Sequence, residues 1–398
     1  MSLSRRAFVR SFGSVPASGL SPAYIAARGR EAFEASGGLS GLPGGMPPAP
    51  DDEIVQIDSN ENPLGPGQKA IDALVDGFVY AGRYPTNARP STADLRAAIA
   101  GRFAVKPENV VLGAGSREIL RHAVAAFTSA DRPLVTASPS FEQPVGMAEA
   151  LGTPVRAVPV DAAGRLNLDG MAAAARGAGL VFFCNPNNPT ATVHSAADVR
   201  AFVEGVRRAS PDTAILLDEA YHDYVTDPAY ATGASLALSH PHVFITRTMS
   251  KVYGMAGLRI GYGVGQAATM DVLGRYTMTF NQSSPGLAAA VTAIGDDEHI
   301  RQERARNTAL RDSLLRFFRT AGFEPTESQG NFVFVNIHRP AREFREACRQ
   351  HKVLIGREFP PLEKTHARIS IGTADEMRRA TEVFRQVLGV TTRTGGWA

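Results

Sequence analysis

The sequence predicts an α/β protein, built as a three-layer, mostly parallel sheet with helices on both faces and followed by a smaller α+β domain. Between residues 110 and 245, short apolar runs alternate with stretches of helical periodicity, which is typical of βαβ units. Glycines, amides, a carboxylate and a lysine follow the ends of these runs. Ligands bind at that edge of a parallel sheet, so we expect a small-molecule site there.

The predicted strands are short apolar or alternating runs bounded by turn residues, and the predicted helices show a spacing of 3.6 residues. The predicted strands are Ile54–Asp58, Val110–Leu112, Leu134–Ala137, Val155–Val160, Leu180–Cys184, Ala214–Leu217, Val243–Ile245, Phe332–Ile337, Val353–Ile355 and Ala367–Ile371. The predicted helices are Gln68–Val79, Thr92–Phe103, Glu118–Phe127, Gln143–Leu151, Leu168–Ala175, Ser195–Ala209, Ala267–Tyr276, Gly286–Ile294, Asp297–Ala321, Ala341–His351 and Asp375–Leu388. We therefore predict an N-terminal arm over 51–84, a large domain over 85–290 and a small domain over 291–398.

The bulk composition excludes several classes of protein. The chain has 398 residues, 44% hydrophobic and 20% charged, which is an ordinary soluble composition. Its net charge of +3 comes from scattered residues and gives no indication of a nucleic-acid partner. Cys184 and Cys348 are too few for a disulfide framework, and no Cys/His cluster has zinc spacing. No apolar run is long enough for a stable membrane span.

The first fifty residues differ from the rest. The run Ser4–Arg10, S-R-R-A-F-V-R, resembles a twin-arginine export signal, and a weakly apolar stretch broken by proline and glycine follows it. Residues 37–50 are rich in glycine and proline, as linkers are. We therefore predict a signal and linker over 1–50 and export to the periplasm. The alternative is a plain basic tail on a cytoplasmic protein.

One stretch carries the strongest chemical signal. The buried strand Val243–Ile245 ends in a polar turn with Ser250 and Lys251, and small residues and Arg259 follow. A lysine in such a setting suits a Schiff base to pyridoxal 5′-phosphate (PLP), with the phosphate beside Ser250 and Arg259. The alternative is a solvated surface lysine. Of the five lysines in the chain, only Lys251 lies in a run this apolar and rich in glycine.

Other strand ends hold further candidates. The turn before the helix at Glu118 contains Gly115, and its backbone N–H groups could face a phosphate, or its glycines could serve packing alone. Phe141 could stack on a flat cofactor or fill the core. Asn188 could bind a ligand through its amide, or could simply belong to a turn.

Asp218 ends a fully apolar strand. A buried carboxylate is costly unless a cation meets it, and a protonated pyridine nitrogen is such a cation. Tyr221, just beyond, could reach the hydroxyl of the pyridine ring. The competing hypothesis is magnesium held by Asp218 and Glu219, for which no further carboxylates cluster nearby.

The motifs together give the chain a specific resemblance. They are N-E-N-P-L-G-P at Asn60, R-Y-P at Arg83, G-A-G-S-R-E at Gly113, N-P-N-N-P-T at Asn185, D-E-A-Y at Asp218, S-K-V-Y-G-M-A-G-L-R-I-G-Y at Ser250 and R-I-S-I-G-T at Arg368. From Val55 to Leu388 the chain resembles PLP-dependent aminotransferases of the aspartate-aminotransferase fold class (class I/II). Within that class it is most similar to histidinol-phosphate aminotransferases.

The resemblance implies a catalytic group and a cofactor site. Lys251 is implied to bind PLP covalently and to move the substrate proton, with Asp218 and Tyr221 beside it. The implied cofactor-binding residues are Gly115, Ser116, Arg117, Phe141, Asn188, Asp218, Tyr221, Ser250, Lys251, Arg259 and, from a neighbouring subunit, Tyr84. A homodimer with shared active sites is therefore expected, and no metal.

The resemblance also implies the reaction. An amino group moves between an amino-acid or amino-phosphate donor, histidinol phosphate-like or aromatic, and a 2-oxo acid such as 2-oxoglutarate. Arg368 is implied to clamp the substrate α-carboxylate, Asn60 and Asn331 to line the substrate pocket, and Arg357 to lie near a substrate phosphate. The alternatives are an amino-acid decarboxylase on the same scaffold and a non-catalytic PLP-fold binding protein.

Three positions and one short stretch depart from the family pattern. Arg117 stands where aspartate is usual, Ala191 where glycine is usual, and Pro144 where a second aromatic is common. The stretch 279–283, T-F-N-Q-S, replaces a P-Y-N-V-N-like segment. None of these changes removes a catalytic group. The last two fall where the substrate side chain is expected.

Overall fold

The computed structural model describes residues 54–390, and its elements follow the predicted order. The strands are β1 Val55–Ile57, β2 Val110–Ala114, β3 Leu134–Ser138, β4 Val155–Pro159, β5 Leu180–Cys184, β6 Ala214–Asp218, β7 Val243–Thr248, β8 Ile260–Gly265, β9 Glu324–Pro325, β10 Phe332–Asn336, β11 Val353–Ile355 and β12 His366–Ser370. The α-helices are α1 Gln68–Gly77, α2 Thr92–Arg102, α3 Ser116–Phe127, α4 Gln143–Ala150, α5 Leu168–Ala174, α6 Ala196–Ala209, α7 Ala234–Ser239, α8 Ala267–Gly274, α9 Ser284–Ala293, α10 Asp297–Thr320, α11 Ala341–Gln350 and α12 Ala374–Leu388. Within 54–390, every helix is too short or too polar to traverse a lipid bilayer.

A seven-stranded sheet in the order β2-β8-β7-β6-β5-β3-β4 forms the centre of the molecule. Strands β4, β3, β5, β6 and β7 pair in parallel, while β8 runs antiparallel to both of its neighbours, β7 and β2. The prediction of a mostly parallel α/β sheet is confirmed. The sequence did not predict β8, because its I-G-Y-G-V-G sequence lacks a continuous apolar run.

Two apolar layers cover the two faces of this sheet. In the central strands β5 and β6 every side chain is buried, as expected for parallel strands covered on both sides. Helices α3 and α8 pack with one layer through residues such as Ile119 and Leu273, and α6 and α9 pack with the other through Val203 and Leu287. The three-layer prediction is therefore confirmed.

The C-terminal part has a core of its own. Strands β12, β10 and β9 form an antiparallel sheet against which α10 packs, and β1 pairs in parallel with β11. Val55 and Ile57 of β1 share this core with Phe318, Phe344 and Phe384. The described part of the chain therefore begins in the C-terminal unit and then crosses to the large sheet, which brings Asn60 over the ends of β6 and β7.

Candidate active site

A cavity of about 510 Å³ opens at the carboxyl ends of β6 and β7 and the start of α3. The C-terminal unit and the segment after β1 close its other side. Twelve predicted site residues line this cavity: Asn60, Ser116, Arg117, Phe141, Asn188, Asp218, Tyr221, Ser250, Lys251, Arg259, Arg357 and Arg368. Parallel strands end at the same edge, so residues far apart in sequence meet here.

Lys251 lies in the turn after β7, with its amine inside the cavity. Its Nζ donates a hydrogen bond to the backbone oxygen of Asn60 over 2.8 Å. Desolvation lowers the pKa of Lys251 to about 8, and the positive charge of Arg368 contributes in the same direction. An amine with this pKa is available in its neutral, nucleophilic form far more readily than a surface lysine.

Asp218 is the last residue of β6 and is 3% exposed. Thr246, on the neighbouring strand β7, donates its hydroxyl to Oδ1 of Asp218 over 3.0 Å. Burial raises the pKa of Asp218 to about 7, against a smaller opposing effect of the Thr246 hydrogen bond. A cation delivered to this carboxylate by a ligand would therefore be bound strongly.

Glu219 faces away from Asp218, because successive residues of an extended chain point in opposite directions. Its carboxylate accepts from the Nε and Nη2 atoms of Arg247, each over 2.9 Å, and from Thr232. Asp218 and Glu219 thus do not present their carboxylates to one shared site, which disfavours the alternative of magnesium held by both. Across the described part of the chain, no cluster of three or more His, Cys, Asp and Glu side chains could hold a metal ion.

The start of α3 forms a cradle suited to a phosphate. Gly115 has a φ of +75°, and α3 begins at the next residue without any side-chain N-cap. A Cβ at Gly115 would collide with the guanidinium of Arg259, and one at Gly261 would collide with the Ser116 backbone. Arg259 also donates through Nη1 to Ser250 Oγ over 3.2 Å. Backbone amides, a hydroxyl and a guanidinium thus converge where an anion would bind.

A second group of polar side chains links the N-terminal segment to the C-terminal unit. The Asn60 Nδ2 donates to the Tyr221 hydroxyl over 3.1 Å. The guanidinium of Arg368 donates to Asn188 Oδ1 over 2.9 Å and to the backbone oxygen of Asp58 over 2.6 Å, while its Nε has no partner. Desolvation lowers the pKa of Arg368 to about 10. This buried cation is placed to receive an anion.

Three predicted site residues do not line the cavity. Gly115 does not line the cavity itself, but its backbone positions the start of α3, which does. Asn331 is buried and donates its amide to the backbone oxygen of Glu61 over 3.2 Å. Tyr84 is 64% exposed and stacks on Phe280 with ring centroids 4.4 Å apart, outside the cavity of its own chain.

Several residues of the site were not predicted. Thr246 and Thr248 belong to β7, which extends past the predicted end at Ile245. Their alternate spacing puts both on the face that carries Asp218 and Ser250, and this pattern could have revealed them. Glu61 and Glu142 also line the cavity, but exposed carboxylates in loops carry no such pattern.

The family model for class I and II aminotransferases matches residues 52–384. The chain belongs to this family. It is 34% identical over 338 residues to the histidinol-phosphate aminotransferase of Symbiobacterium thermophilum, covering 85% of this chain and 91% of that one. It is 35% identical to the enzyme of the same name from Moorella thermoacetica, with 84% and 85% covered.

A comparison with a solved structure supports the same family and adds evidence on the fold and the cofactor. The histidinol-phosphate aminotransferase of Sinorhizobium meliloti, solved with pyridoxal-5′-phosphate, matches with a TM-score of 0.78 and 27% identity, over 89% of this chain and 97% of that one. This aminotransferase is therefore an enzyme that uses PLP. The residues present fit the cofactor: a lysine with a lowered pKa, a buried carboxylate that forms no salt bridge within residues 54–390, and an anion cradle share one cavity.

Proposed function

We propose that this aminotransferase moves an amino group between a histidinol phosphate-like or aromatic donor and a 2-oxo acid such as 2-oxoglutarate. The observation that carries this proposal is the presence of Lys251, Asp218 and Arg368 in one cavity of a class I/II aminotransferase. The names of the relatives support an amino-phosphate donor. The buried arginine supports donors with a carboxylate.

The cofactor side of the cavity has the following proposed roles. When bound, PLP supplies an aldehyde for covalent attachment and a ring that withdraws electrons from the substrate. Lys251 anchors the cofactor through its amine and then moves the proton at the substrate Cα. Asp218 holds the proton on the ring nitrogen, which keeps the ring electron-withdrawing. Tyr221 and Asn188 bind the ring hydroxyl, and Phe141 stacks on the ring.

The phosphate of the cofactor is proposed to lie at the start of α3. The Gly115 turn brings the backbone N–H groups of Ser116 and Arg117 to the cavity, and the side chains of Ser250 and Arg259 complete the set. Helix dipole, amides and a guanidinium together favour a dianion.

On the substrate side, Arg368 is proposed to clamp a carboxylate with two parallel hydrogen bonds. Asn60 positions the backbone oxygen that accepts from Lys251, so it keeps the amine oriented toward the cofactor ring. Asn331 supports the same segment through the Glu61 backbone. Arg357 lies at the mouth of the cavity and would meet a substrate phosphate.

A homodimer with shared active sites is part of the proposal. Tyr84 is 64% exposed and stacks on Phe280, which is also exposed, so two aromatic rings lie together at the surface. A second subunit would cover these two rings and receive Tyr84 at its own phosphate site. Sedimentation of the loaded enzyme tests the dimer.

Export through the twin-arginine route is a separate proposal. Arg5 and Arg6 lie outside the described residues, so the support for it is the sequence alone. Replacing both by lysine should leave the protein in the cytoplasm. An unchanged location of the variant would refute export by this route.

The donor proposal is tested by a screen of amino donors with 2-oxoglutarate as acceptor. Histidinol phosphate, phenylalanine and aspartate span the phosphate, aromatic and acidic classes. Formation of glutamate with the first two and little with the third supports the proposal. Release of carbon dioxide without glutamate would instead indicate a decarboxylase, and inactivity with all three would refute the donor assignment.

A further inference from the structure

An ion pair spans the mouth of the cavity. Glu142 stands immediately before α4 on the large sheet, and Arg357 follows β11 in the C-terminal unit. The Arg357 Nη2 atom lies 2.5 Å from Glu142 Oε1, and both side chains line the cavity. Their exposed fractions, 43% and 55%, leave both groups accessible to a ligand that enters. A substrate group that reaches Arg357 therefore also meets Glu142.

Arg357 and the buried Arg368 both contact one aromatic ring, that of Phe359. The guanidinium carbons of Arg357 and Arg368 lie 4.2 Å and 4.7 Å from the ring centroid of Phe359. Arg357 also acts electrostatically on Arg368, so the two guanidinium groups add to the positive charge of the same pocket. A phosphate can engage both of them, whereas a carboxylate has only two oxygens and is satisfied by Arg368 alone.

Glu142 changes the charge of that site. Arg357 lowers the pKa of Arg368 and Glu142 raises it, so both side chains act electrostatically on the substrate arginine. While Glu142 is bound to Arg357, this pair carries no net charge. A phosphate arm that reaches for Arg357 must displace a carboxylate and then lie beside it, at a like-charge cost.

We propose that Glu142 is a specificity-determining residue that disfavours donors with a phosphate arm and so favours donors with an α-carboxylate. This inference rests on the proposed function, since it concerns the same pocket and the same donors. It predicts that kcat/KM for donors with a phosphate arm is lower in this aminotransferase than it would be if Arg357 and Arg368 were present without Glu142. Glu142 contacts Arg357 and acts on the substrate through it.

The kinetic test uses two donors that share an imidazole side chain. Histidinol phosphate carries a phosphate arm where L-histidine carries a carboxylate. In Glu142→Gln the ratio of kcat/KM, phosphate donor over carboxylate donor, should rise about twofold to fivefold, as expected for one partly exposed ion pair. Glu149→Gln, at an exposed position of the same helix, is the matched control and should leave the ratio unchanged.

A second pair of variants separates electrostatics from a structural effect. Arg357→Gln in the Glu142→Gln background should abolish the gain for the phosphate donor, because the guanidinium that Glu142 neutralises in the wild type is then absent. A gain that persists without Arg357 overturns the proposal. So does an unchanged ratio in Glu142→Gln, or an equal rise in the Glu149→Gln control. Cofactor absorbance of each variant verifies that it is folded and loaded.

A binding experiment distinguishes this inference from the donor assignment. The amine-free probes 3-(imidazol-4-yl)propyl phosphate and 3-(imidazol-4-yl)propionate can bind but cannot react. Glu142→Gln should tighten binding of the phosphate probe about twofold to fivefold relative to the propionate in calorimetry of the PLP-loaded enzyme. If the probe affinities shift in this way but neither donor is turned over, the donor assignment is refuted and the role of Glu142 in specificity is supported. Turnover without the shift, or no binding of either probe, overturns the role of Glu142.

Discussion

The sheet edge and the cavity mouth hold their charged groups in different ways. At the sheet edge Asp218 is 3% exposed, ends a central strand and accepts a hydrogen bond from Thr246 on the next strand. At the mouth Glu142 is 55% exposed and pairs with Arg357 from a loop. Buried polar groups are expensive to disturb, whereas exposed ion pairs contribute little to stability. The groups proposed for the reaction thus lie at the buried sheet edge, whereas the pair proposed for donor selectivity lies at the exposed mouth, where substitutions disturb the fold less.

The largest expected effect comes from removing the amine at the sheet edge. Lys251→Ala should abolish turnover, because no other side chain of the cavity can anchor PLP and move the substrate proton. Borohydride reduction followed by mass spectrometry should find PLP attached to the wild type and none attached to the variant. Lys106→Ala, at an exposed lysine, should behave as wild type. Turnover at wild-type rates in Lys251→Ala would refute the assignment.

The next effect tests the buried carboxylate. Asp218→Asn should lower kcat by a factor on the order of 10² to 10³, because the variant can no longer hold a proton on the ring nitrogen. The measurement is single-turnover kinetics with a saturating donor. A reduction below about threefold would mean that the ring nitrogen meets another group.

The same substitution should change how stability depends on pH in the cofactor-free protein. The pKa of Asp218 is about 7 in the folded protein against an ordinary value of 3.8, so the folded state keeps a proton that the unfolded state loses. Relative to Asp218→Asn, the free energy of unfolding of the wild type should fall as pH rises from about 4 to 7, by on the order of 1.4 kcal/mol per pH unit. PLP should reverse this trend, and chemical denaturation measures both. Parallel curves for the two proteins would contradict it.

A smaller effect is expected where the two regions meet, at Arg368. Arg368→Lys keeps the charge but loses the paired geometry, so kcat/KM for a carboxylate donor should fall roughly tenfold to a hundredfold, mostly through KM. Steady-state kinetics with phenylalanine measures this loss. Arg316→Lys, at an exposed position of α10, serves as the control. An equal loss in the control would point to an unspecific effect on folding.

The smallest effect is expected outside the cavity. Tyr84→Phe removes one hydroxyl that is proposed to reach the phosphate of the partner subunit, so the Kd for PLP should rise roughly twofold to tenfold. Fluorescence titration of the cofactor-free protein measures the change, and sedimentation should find the same oligomeric state for the variant and the wild type. An unchanged Kd would remove Tyr84 from the shared site.

The sequence predicted most of the sheet edge, since its signals are local. A lysine, an aspartate and a glycine turn each follow an apolar run, and parallel strands bring such ends together. Strand β8 was missed because its glycines carry no apolar run, although Gly261 is needed where the backbone approaches Ser116. The residues at the mouth of the cavity were marked by weaker sequence patterns. Arg357 was found by resemblance, and its partner Glu142 was not found, because nothing local marks an exposed carboxylate.

By itself, the sequence determined the fold class and the residues that end each strand, because apolar periodicity and turn chemistry are properties of a few consecutive residues. Only the tertiary structure decided the environments. It placed Asp218 beside Thr246, turned Glu219 away toward Arg247, and joined Glu142 to Arg357 across more than two hundred residues of chain. The physical reason is that desolvation and charge pairing depend on which distant segments meet, and no local pattern encodes that meeting.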